Sequence, residues 1–436
     1  MRRICLALPT NRACAATLSA VAEEAAYAAR RFGVEVHLLV LDSSGERAFA
    51  EHAAVLDATG PAPGVVPHHL GEAEQRDFLR RVIHRAGVAK PDLVLDLMLP
   101  AAPSYGACTN RAFLLGGALG CASVHRRDSD SRYQVVAGEP VFPVHQELTF
   151  LGKRAADALP GVSASTLAPE HAHKPVVLVG GSFVGELSVD IGDIRRRDPG
   201  VYHDVVSLWA PAEWPAEQKR QLVEESFTGA GTEPFNGDRS TLALVDPMRL
   251  DMCNISFHGV HEQVPLPPAT DTIGSDYFLI HLAHDATLPG VLHNRDIVNF
   301  YTGERRTGPG FAAYQLRLTK FFLSMLYFND VYRRMAEAGE ALLDSRHRVR
   351  ASAITGYVRE STGLDRAENV WRLETVDRSY RKLGGRYAAF ADRLVPLRER
   401  LLDEAQADMD DFALLIEAWE PLVDASRDTG THGPRR

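Results

Sequence analysis

The sequence predicts an α/β fold with a helical C-terminal lobe, and two observations support this prediction. Short apolar runs alternate with helical patterns through the first 125 residues, which is typical of a parallel sheet with helices on its faces. From about residue 311 onward, apolar residues recur every three or four positions among many charges, as on amphipathic helices. The pattern between these two regions is mixed.

The first two strands are predicted from apolar runs near the N-terminus. Residues 4–8 (ICLAL) form a short buried strand whose exit loop is Pro9-Thr10-Asn11-Arg12. An alanine-rich helix over about 14–31 leads to a second strand at Val34–Leu41, which is closed by Asp42. Ligands bind beyond the carboxyl ends of the strands in such sheets, so both strand ends are candidate site positions.

The rest of the alternating region contains one more predicted strand and an acidic pair. A polar helix near 72–87 precedes a third strand at Leu93–Met98, and a helix follows at about 107–119. The run Cys121–His125 then leads directly into Asp128-Ser129-Asp130. The histidines His68 and His69, in a polar stretch next to a proline, are interpreted as loop residues.

Domain organisation follows from the change of pattern near residue 310. Between about 130 and 310, Val176–Val179 and Asp251–Phe257 resemble strands, and Ser275–His284 resembles a helix. The sequence therefore predicts a sheet-containing domain over 1–310, a helical lobe over 311–426 and a disordered tail over 427–436. The apolar residues at 321–328 are too numerous for one narrow stripe, which predicts burial and leaves a homodimer compatible with the sequence.

Composition excludes several classes of function. The chain has 436 residues, 45% hydrophobic and 24% charged, with a net charge of −9. This balance provides no basic surface for nucleic acid or an anionic membrane. The five scattered cysteines do not form a CxxC pair, and the sequence has no apolar run of about 18 residues that would span a bilayer. Together with an N-terminus too short in apolar residues for a signal peptide, these features predict a cytoplasmic protein.

The acidic pair Asp128 and Asp130 is the strongest candidate metal site. Both carboxylates lie on a loop after a predicted strand, so they can turn toward one point. Two hard oxygen ligands suit Mn²⁺ or Mg²⁺, which keep water and substrate phosphate in their remaining positions. A solvated Asx turn is the alternative interpretation of the same residues.

The order of these features resembles the GT-A glycosyltransferases that use nucleotide sugars, in particular family-2-like members. These proteins have a first strand ending in a polar loop, a second strand ending in an acidic residue, a loop and helix containing Gly and Asn (here Tyr105–Arg111), and then a DxD motif. The resemblance implies a GT-A fold with a Rossmann-like mixed or parallel sheet. It also implies that Asp128 and Asp130 bind the nucleoside diphosphate through the metal. The residues that it assigns to nucleotide binding are Pro9, Thr10, Arg12, Asp42 and Asn110.

The downstream half of the resemblance supplies further candidates. Asp276 opens the predicted helix in a segment similar to the family's acceptor segment, although the acidic residue that usually precedes it is absent here. His293 ends a predicted strand and resembles the histidine that many members use as a further metal ligand; a structural histidine is the alternative. Arg305 and Arg306, in a Gly- and Arg-rich segment, are candidates to neutralise the leaving diphosphate, unless this segment is only a linker.

The sequence therefore predicts a metal-dependent glycosyltransferase that moves a sugar from a UDP- or GDP-sugar to a small-molecule acceptor. The long helical tail is similar in layout to that of mannosylglycerate synthase, and inversion or retention at the sugar stays open. Two alternatives also stay open. One is a nucleotidyltransferase acting on a sugar phosphate, although the loop after the first strand lacks glycine. The other is an inactive GT-A-like scaffold protein.

Overall fold

A computed structural model describes residues 1–60, 62–186, 191–300, 303 and 308–430. Its β-strands are β1 (Arg3–Thr10), β2 (Glu35–Asp42), β3 (Val65–Leu70), β4 (Val124–Arg127), β5 (Ser131–Tyr133), β6 (Val135–Val136), β7 (Glu139–Pro140), β8 (Ala164–Ser165), β9 (Leu178–Gly180), β10 (Phe183–Gly185), β11 (Ser240–Ala243), β12 (Asn254–Phe257), β13 (Gly290–His293) and β14 (Ile297–Asn299).

Helices occur throughout the described chain and dominate its last third. The α-helices are α1 (Ala15–Phe32), α2 (Glu46–Thr59), α3 (Glu72–Ala86), α4 (Pro91–Met98), α5 (Tyr105–Ala118), α6 (Val144–Phe150), α7 (Ala155–Ala158), α8 (Ile191–Arg197), α9 (Pro199–Val206), α10 (Ala216–Glu225), α11 (Phe278–Asp285), α12 (Gly308–Ala338), α13 (Ala351–Ser361), α14 (Ala367–Leu383), α15 (Gly385–Leu394) and α16 (Arg398–Thr429). Short 3₁₀ helices include Ser207–Trp209 and Ser275–Tyr277.

A mixed sheet forms the centre of the molecule, with the strand order β3-β2-β1-β4-β12-β9-β13-β11-β8. Strands β1 to β4 run parallel to one another, whereas β12 is antiparallel to both β4 and β9. A second, three-stranded sheet has the order β10-β14-β5. The α/β class predicted from the sequence, with its mixed sheet and its helical C-terminal lobe, is confirmed.

Strand β1 shows why the sheet is buried on both faces. Its alternate residues Ile4, Leu6 and Leu8 belong to a cluster that includes α1, and Cys5 and Ala7 belong to a second cluster on the opposite face. Side chains alternate across a strand, so a continuous apolar run is needed where helices cover both faces. This explains the uninterrupted ICLAL run.

The third parallel strand is not the one predicted. Leu93–Met98 lies within helix α4, and the strand next to β2 is β3, which contains His68 and His69. Pro91 at the first helical position and Asp92 in the first turn both favour a helix start there. The short apolar run had the length of a buried strand, and periodicity alone does not separate that case from a short buried helix.

The C-terminal helices pack onto the sheet-containing part of the chain. Phe321, Phe322 and Phe328 of α12 are buried, as predicted for the segment 321–328. The indole N–H of Trp419 in α16 donates to the carbonyl of His261 at 3.0 Å. One hydrophobic cluster includes residues from both sides of position 310, so the division of the chain at that point stays a prediction.

Two further observations concern the chain ends and membranes. Helix α16 continues to Thr429, so residues 427–429 are helical and do not begin a disordered tail, while 431–436 lie outside the described residues. The apolar spacing of α16 persists close to its C-terminal end, where Val423 and Ala425 are buried. Among the described helices, none combines the length and the apolar character needed to cross a membrane.

Candidate functional site

A cavity of about 410 Å³ lies at the carboxyl ends of β1 and β4. Its lining comes from the loop after β1, the loop after β4, the start of α5, the segment before β12 and the 3₁₀ turn before α11. Six residues singled out from the sequence line it together: Pro9, Thr10, Arg12, Asp128, Asp130 and Asp276. The structure therefore brings most of the predicted residues to the edge of the sheet where ligands bind in such folds.

The acidic pair occupies the turn between β4 and β5. The carbonyl of Asp128 accepts a hydrogen bond from the Ser131 hydroxyl at 2.8 Å, which closes the turn. Asp130 lies 3.6 Å from the guanidinium of Arg12, measured from Oδ2 to Nη1. Asp130 is only 9% exposed, so this carboxylate faces the cavity and is less solvated than the Asx-turn interpretation required.

Arg126 connects the acidic pair to Asp276. Its Nη1 donates to Asp276 Oδ2 at 2.5 Å, and its Nη2 lies 3.0 Å from Asp128 Oδ1. The Arg126 side chain is buried, and its Nε has no hydrogen-bond partner among the described residues. Sequence reasoning missed this arginine. The available signal was a pair of arginines at the end of a buried strand, directly before the DxD motif.

Carboxylates crowd this cavity. The pKa of Asp128 is raised to about 6, mainly by burial and also by the charges of Asp130, Asp276 and Asp251, against the opposing charge of Arg126. Burial also raises the pKa of Asp251. Asp251 was not predicted as a site residue, and it lies before β12 with the Tyr277 hydroxyl donating to its Oδ2 at 3.3 Å. The cavity therefore offers several oxygen ligands that repel one another.

This donor set fits a hard divalent cation. Carboxylates at Asp128 and Asp130 are the oxygen ligands preferred by Mn²⁺ and Mg²⁺. Asn299 of β14 also lines the cavity, because β14 pairs with β5 and aligns Asn299 with Ser131. A bound cation would relieve the repulsion that raises the pKa of Asp128.

Arg127 lies on the opposite face of β4 and forms a separate buried network. Its guanidinium contacts Glu24 at 2.8 and 2.9 Å and both oxygens of Glu147 at 3.0 Å. His125, also on this face, makes a 2.7 Å hydrogen bond to Glu147. The side chains of Arg127, Glu24 and Glu147 are at most 1% exposed. The network ties β4 to α1 and α6 and thereby holds the loop that carries the acidic pair.

Asp42 does not line the cavity, although it ends β2 as predicted. His52 Nδ1 and His69 Nε2 contact its Oδ2 at 2.7 and 2.9 Å. Burial opposes ionisation, but hydrogen bonds from His69, Ser44 and His52 hold the pKa of Asp42 below its usual range. His52 Nε2 in turn accepts the backbone N–H of Cys14 at 3.0 Å. The group is a closed hydrogen-bond network, and the nucleotide contact predicted for Asp42 is not supported.

Asn110 and His293 also lie away from the cavity lining. Both polar ends of the Asn110 side chain bond to the backbone of Leu266, each at 2.8 Å, so this residue fixes a loop. His293 Nδ1 accepts the backbone N–H of Arg295 at 3.2 Å, and burial lowers the His293 pKa to about 4. The position of Asn110 does not support the nucleotide contact predicted for that residue. His293 Nε2 is buried with no hydrogen-bond partner among the described residues, so the metal-ligand role of His293 stays a prediction.

Two groups of three potential metal ligands occur in the part of the chain that the structure describes. They are Asp42, His52 and His69, and a more exposed group of His173, Glu340 and His347. Neither group contains Asp128, Asp130 or His293, which are the predicted metal ligands. An ion held by Asp128 and Asp130 would therefore need water or substrate oxygens to complete its coordination. Arg305 and Arg306 lie outside the described residues.

Comparisons with known proteins gave three results. A family model described as "Family of unknown function (DUF6271)" matches residues 2–435. No curated protein matches the chain. Among solved structures, the mannosyltransferase PcManGT from Pyrobaculum calidifontis in complex with GDP-Man and Mn2+ is similar, with 13% identity and a TM-score of 0.33. That alignment covers 96% of this chain and 88% of the other.

Proposed function

The chain belongs to the DUF6271 family, whose function is unknown, and we propose that it is a metal-dependent glycosyltransferase. Its donor would be a UDP- or GDP-sugar and its acceptor a small molecule. The observation that carries the proposal is the convergence of Asp128, Asp130 and Asp276 with Arg12 and Arg126 in one cavity at the strand ends. Carboxylates suit a metal–diphosphate complex there, and arginines suit the phosphate oxygens.

Asp128 and Asp130 would hold Mn²⁺ or Mg²⁺, with Asn299 as a further oxygen ligand. When bound, such an ion supplies positive charge that stabilises the departing diphosphate. Arg12 is placed to contribute to the same stabilisation, because its guanidinium lies 3.6 Å from Asp130 within the cavity lining. Preorganised positive groups of this kind are effective because they are already oriented before charge develops.

The reaction exchanges one carbon–oxygen bond for another. The acceptor hydroxyl oxygen bonds to the anomeric carbon, and the bond from that carbon to the diphosphate oxygen breaks with its electron pair on the diphosphate. In an inverting reaction Asp276 takes the acceptor proton; in a retaining one a diphosphate oxygen takes it and Asp276 orients the acceptor. Arg126 fixes the position of the Asp276 carboxylate through its 2.5 Å contact.

Calorimetry with UDP and GDP, each with and without Mn²⁺, tests the proposal. The expected result is that Mn²⁺ tightens binding of one nucleotide and that Asp130→Ala removes this effect. Asp157→Ala is the matched control, because Asp157 is an exposed carboxylate paired with Arg154, and neither residue lines the cavity. Nucleotide affinity independent of Mn²⁺ in the wild-type protein would contradict the metal-site assignment.

Product analysis then separates the alternatives. A glycosyltransferase releases nucleoside diphosphate from a nucleotide sugar. A nucleotidyltransferase joins a sugar phosphate to a nucleoside triphosphate and releases pyrophosphate. An inactive scaffold protein gives no product. A cytoplasmic location and a homodimer stay predictions.

A further inference from the structure

A second cavity, of about 170 Å³, lies between the first one and the C-terminal lobe. Its walls come from the Ser207–Trp209 turn, the loop after α10, helix α11 and one face of α12. Most of the lining is aromatic or aliphatic, as shown by Trp209, Phe227, Met248, Phe321, Met325 and Phe328. We call this space the apolar chamber.

The walls of the apolar chamber hold one another in place. The Trp209 ring packs edge-on against Phe321, with centroids 5.3 Å apart, and lies 5.8 Å from Phe227. Phe227 has a φ of +60°, which a bulky side chain rarely adopts. Such a conformation persists where the surrounding structure imposes it. The chamber is therefore preformed.

The apolar chamber is continuous with the acidic cavity. Asp251, Gly274, Tyr277 and two further residues line both spaces. Gly274 lies where the two spaces meet and has a φ of +75°. A Cβ at this position would meet the Phe321 ring at 2.8 Å, so the residue here must be glycine. At the same wall, Tyr277 donates to Asp251. A ligand with its apolar part in the chamber would thus present its other end to the carboxylates.

We propose that the apolar chamber binds the acceptor, and that the acceptor is an uncharged alcohol carrying one apolar ring, such as a phenol. This inference rests on the proposed glycosyl transfer. The volume suits one ring, because a dry cavity of about 150 Å³ accepts benzene. Burial of a ring of this size improves affinity roughly ten- to a hundredfold.

The charges that line the chamber disfavour an anionic acceptor. Its described lining contains the acidic residues Glu225 and Asp251 and no lysine or arginine. A phosphorylated or carboxylated acceptor would place an anion there without a cationic partner, which is unfavourable. The acceptor should therefore bind as a neutral ring-bearing alcohol.

Ser324→Phe tests the chamber without touching the acidic cavity. Ser324 of α12 lines the chamber and not the acidic cavity, so a phenyl group there should fill the space. Calorimetry on the full chain with 4-methylphenol should show at least about tenfold weaker binding in this variant. Ala336→Phe, at an exposed position of the same helix, is the matched control and should bind like the wild type.

Met325→Ala provides a second variant should Ser324→Phe fail to fold. Removing the Met325 side chain enlarges the chamber, so 2-naphthol should gain affinity relative to 4-methylphenol. The proposal is overturned if both variants bind these phenols like the wild type, or if glycerol 3-phosphate binds more tightly than 4-methylphenol.

Nucleotide binding distinguishes this inference from the proposed function. Ser324→Phe should retain Mn²⁺-dependent nucleotide affinity, because its effect is confined to the chamber. Phenol binding that responds to Ser324→Phe, in a protein that binds no nucleotide with Mn²⁺, would support the chamber as a ring-binding site and overturn glycosyl transfer. Normal nucleotide binding, together with a phenol affinity that neither variant changes, would overturn the chamber as a ring-binding site and leave the proposed glycosyl transfer standing.

Discussion

Replacing Arg126 by methionine should expose the charge balance on which the candidate site depends. Arg126 contacts Asp276, whose side chain is 6% exposed, and Asp128, whose side chain is 27% exposed. Removing one partner of a buried ion pair costs about 3–5 kcal/mol, because the remaining charge stays buried. The partial exposure of Asp128 places the expected loss of unfolding free energy at the lower end, about 3 kcal/mol.

A divalent cation should recover much of that loss, since it can take the place of the guanidinium between the carboxylates. At a free Mn²⁺ concentration of about 100 times the dissociation constant, ligand binding stabilises the folded state by about 2.7 kcal/mol. The measurement is urea unfolding followed by tryptophan fluorescence, with and without Mn²⁺. Arg126→Met should gain more stability from Mn²⁺ than the wild type does.

Arg127→Met is the matched control on the next residue. It should lose up to about 5 kcal/mol, because Glu24 and Glu147 are fully buried, and Mn²⁺ should stabilise it no more than it stabilises the wild type. Arg126→Lys keeps the charge and should also resemble the wild type in its response to Mn²⁺. An equal Mn²⁺ gain in the Arg126→Met and Arg127→Met variants would refute the idea that the cation takes the place of the Arg126 guanidinium.

Asp276→Asn is expected to leave Mn²⁺-dependent donor affinity unchanged while turnover falls about 10²–10⁴-fold, and wild-type turnover at saturating acceptor would remove Asp276 from the chemistry. Acid should destabilise the protein below pH 6.5, because burial lowers the pKa of His261 to about 4 and that of His281 to about 3. Their stabilisation is complete above the unfolded value of 6.5 and declines as pH falls toward the folded values, so His261→Gln should flatten the fall of Tm between pH 6.5 and 4; an unchanged slope would contradict this. Deleting residues 311–436 should yield insoluble or inactive protein by exposing the apolar face of the sheet domain, whereas a soluble and fully active 1–310 fragment would show a separable lobe.

The sequence by itself determined the features that depend on local pattern. The ICLAL run predicts β1, because a strand covered on both faces requires continuous apolar residues. The three- and four-residue spacing around Phe321–Phe328 predicts a buried helix, because apolar residues at this spacing lie on one face of a helix. Asp128 and Asp130 were identifiable because two carboxylates directly after a strand must lie at the edge of the sheet.

The tertiary structure alone decided which distant residues meet. Leu93–Met98 had the apolar content of a strand, and as helix α4 it packs beside α3 and α5. Asn110 carries the right chemical groups, but the fold turns its amide toward the backbone of Leu266. His293 ends its strand as predicted, but it lies outside the cavity lining. Arg126 becomes a site residue because Asp276, 150 positions away, folds against it. Charge pairing and burial between segments far apart in the chain depend on three-dimensional proximity, which a local pattern does not encode.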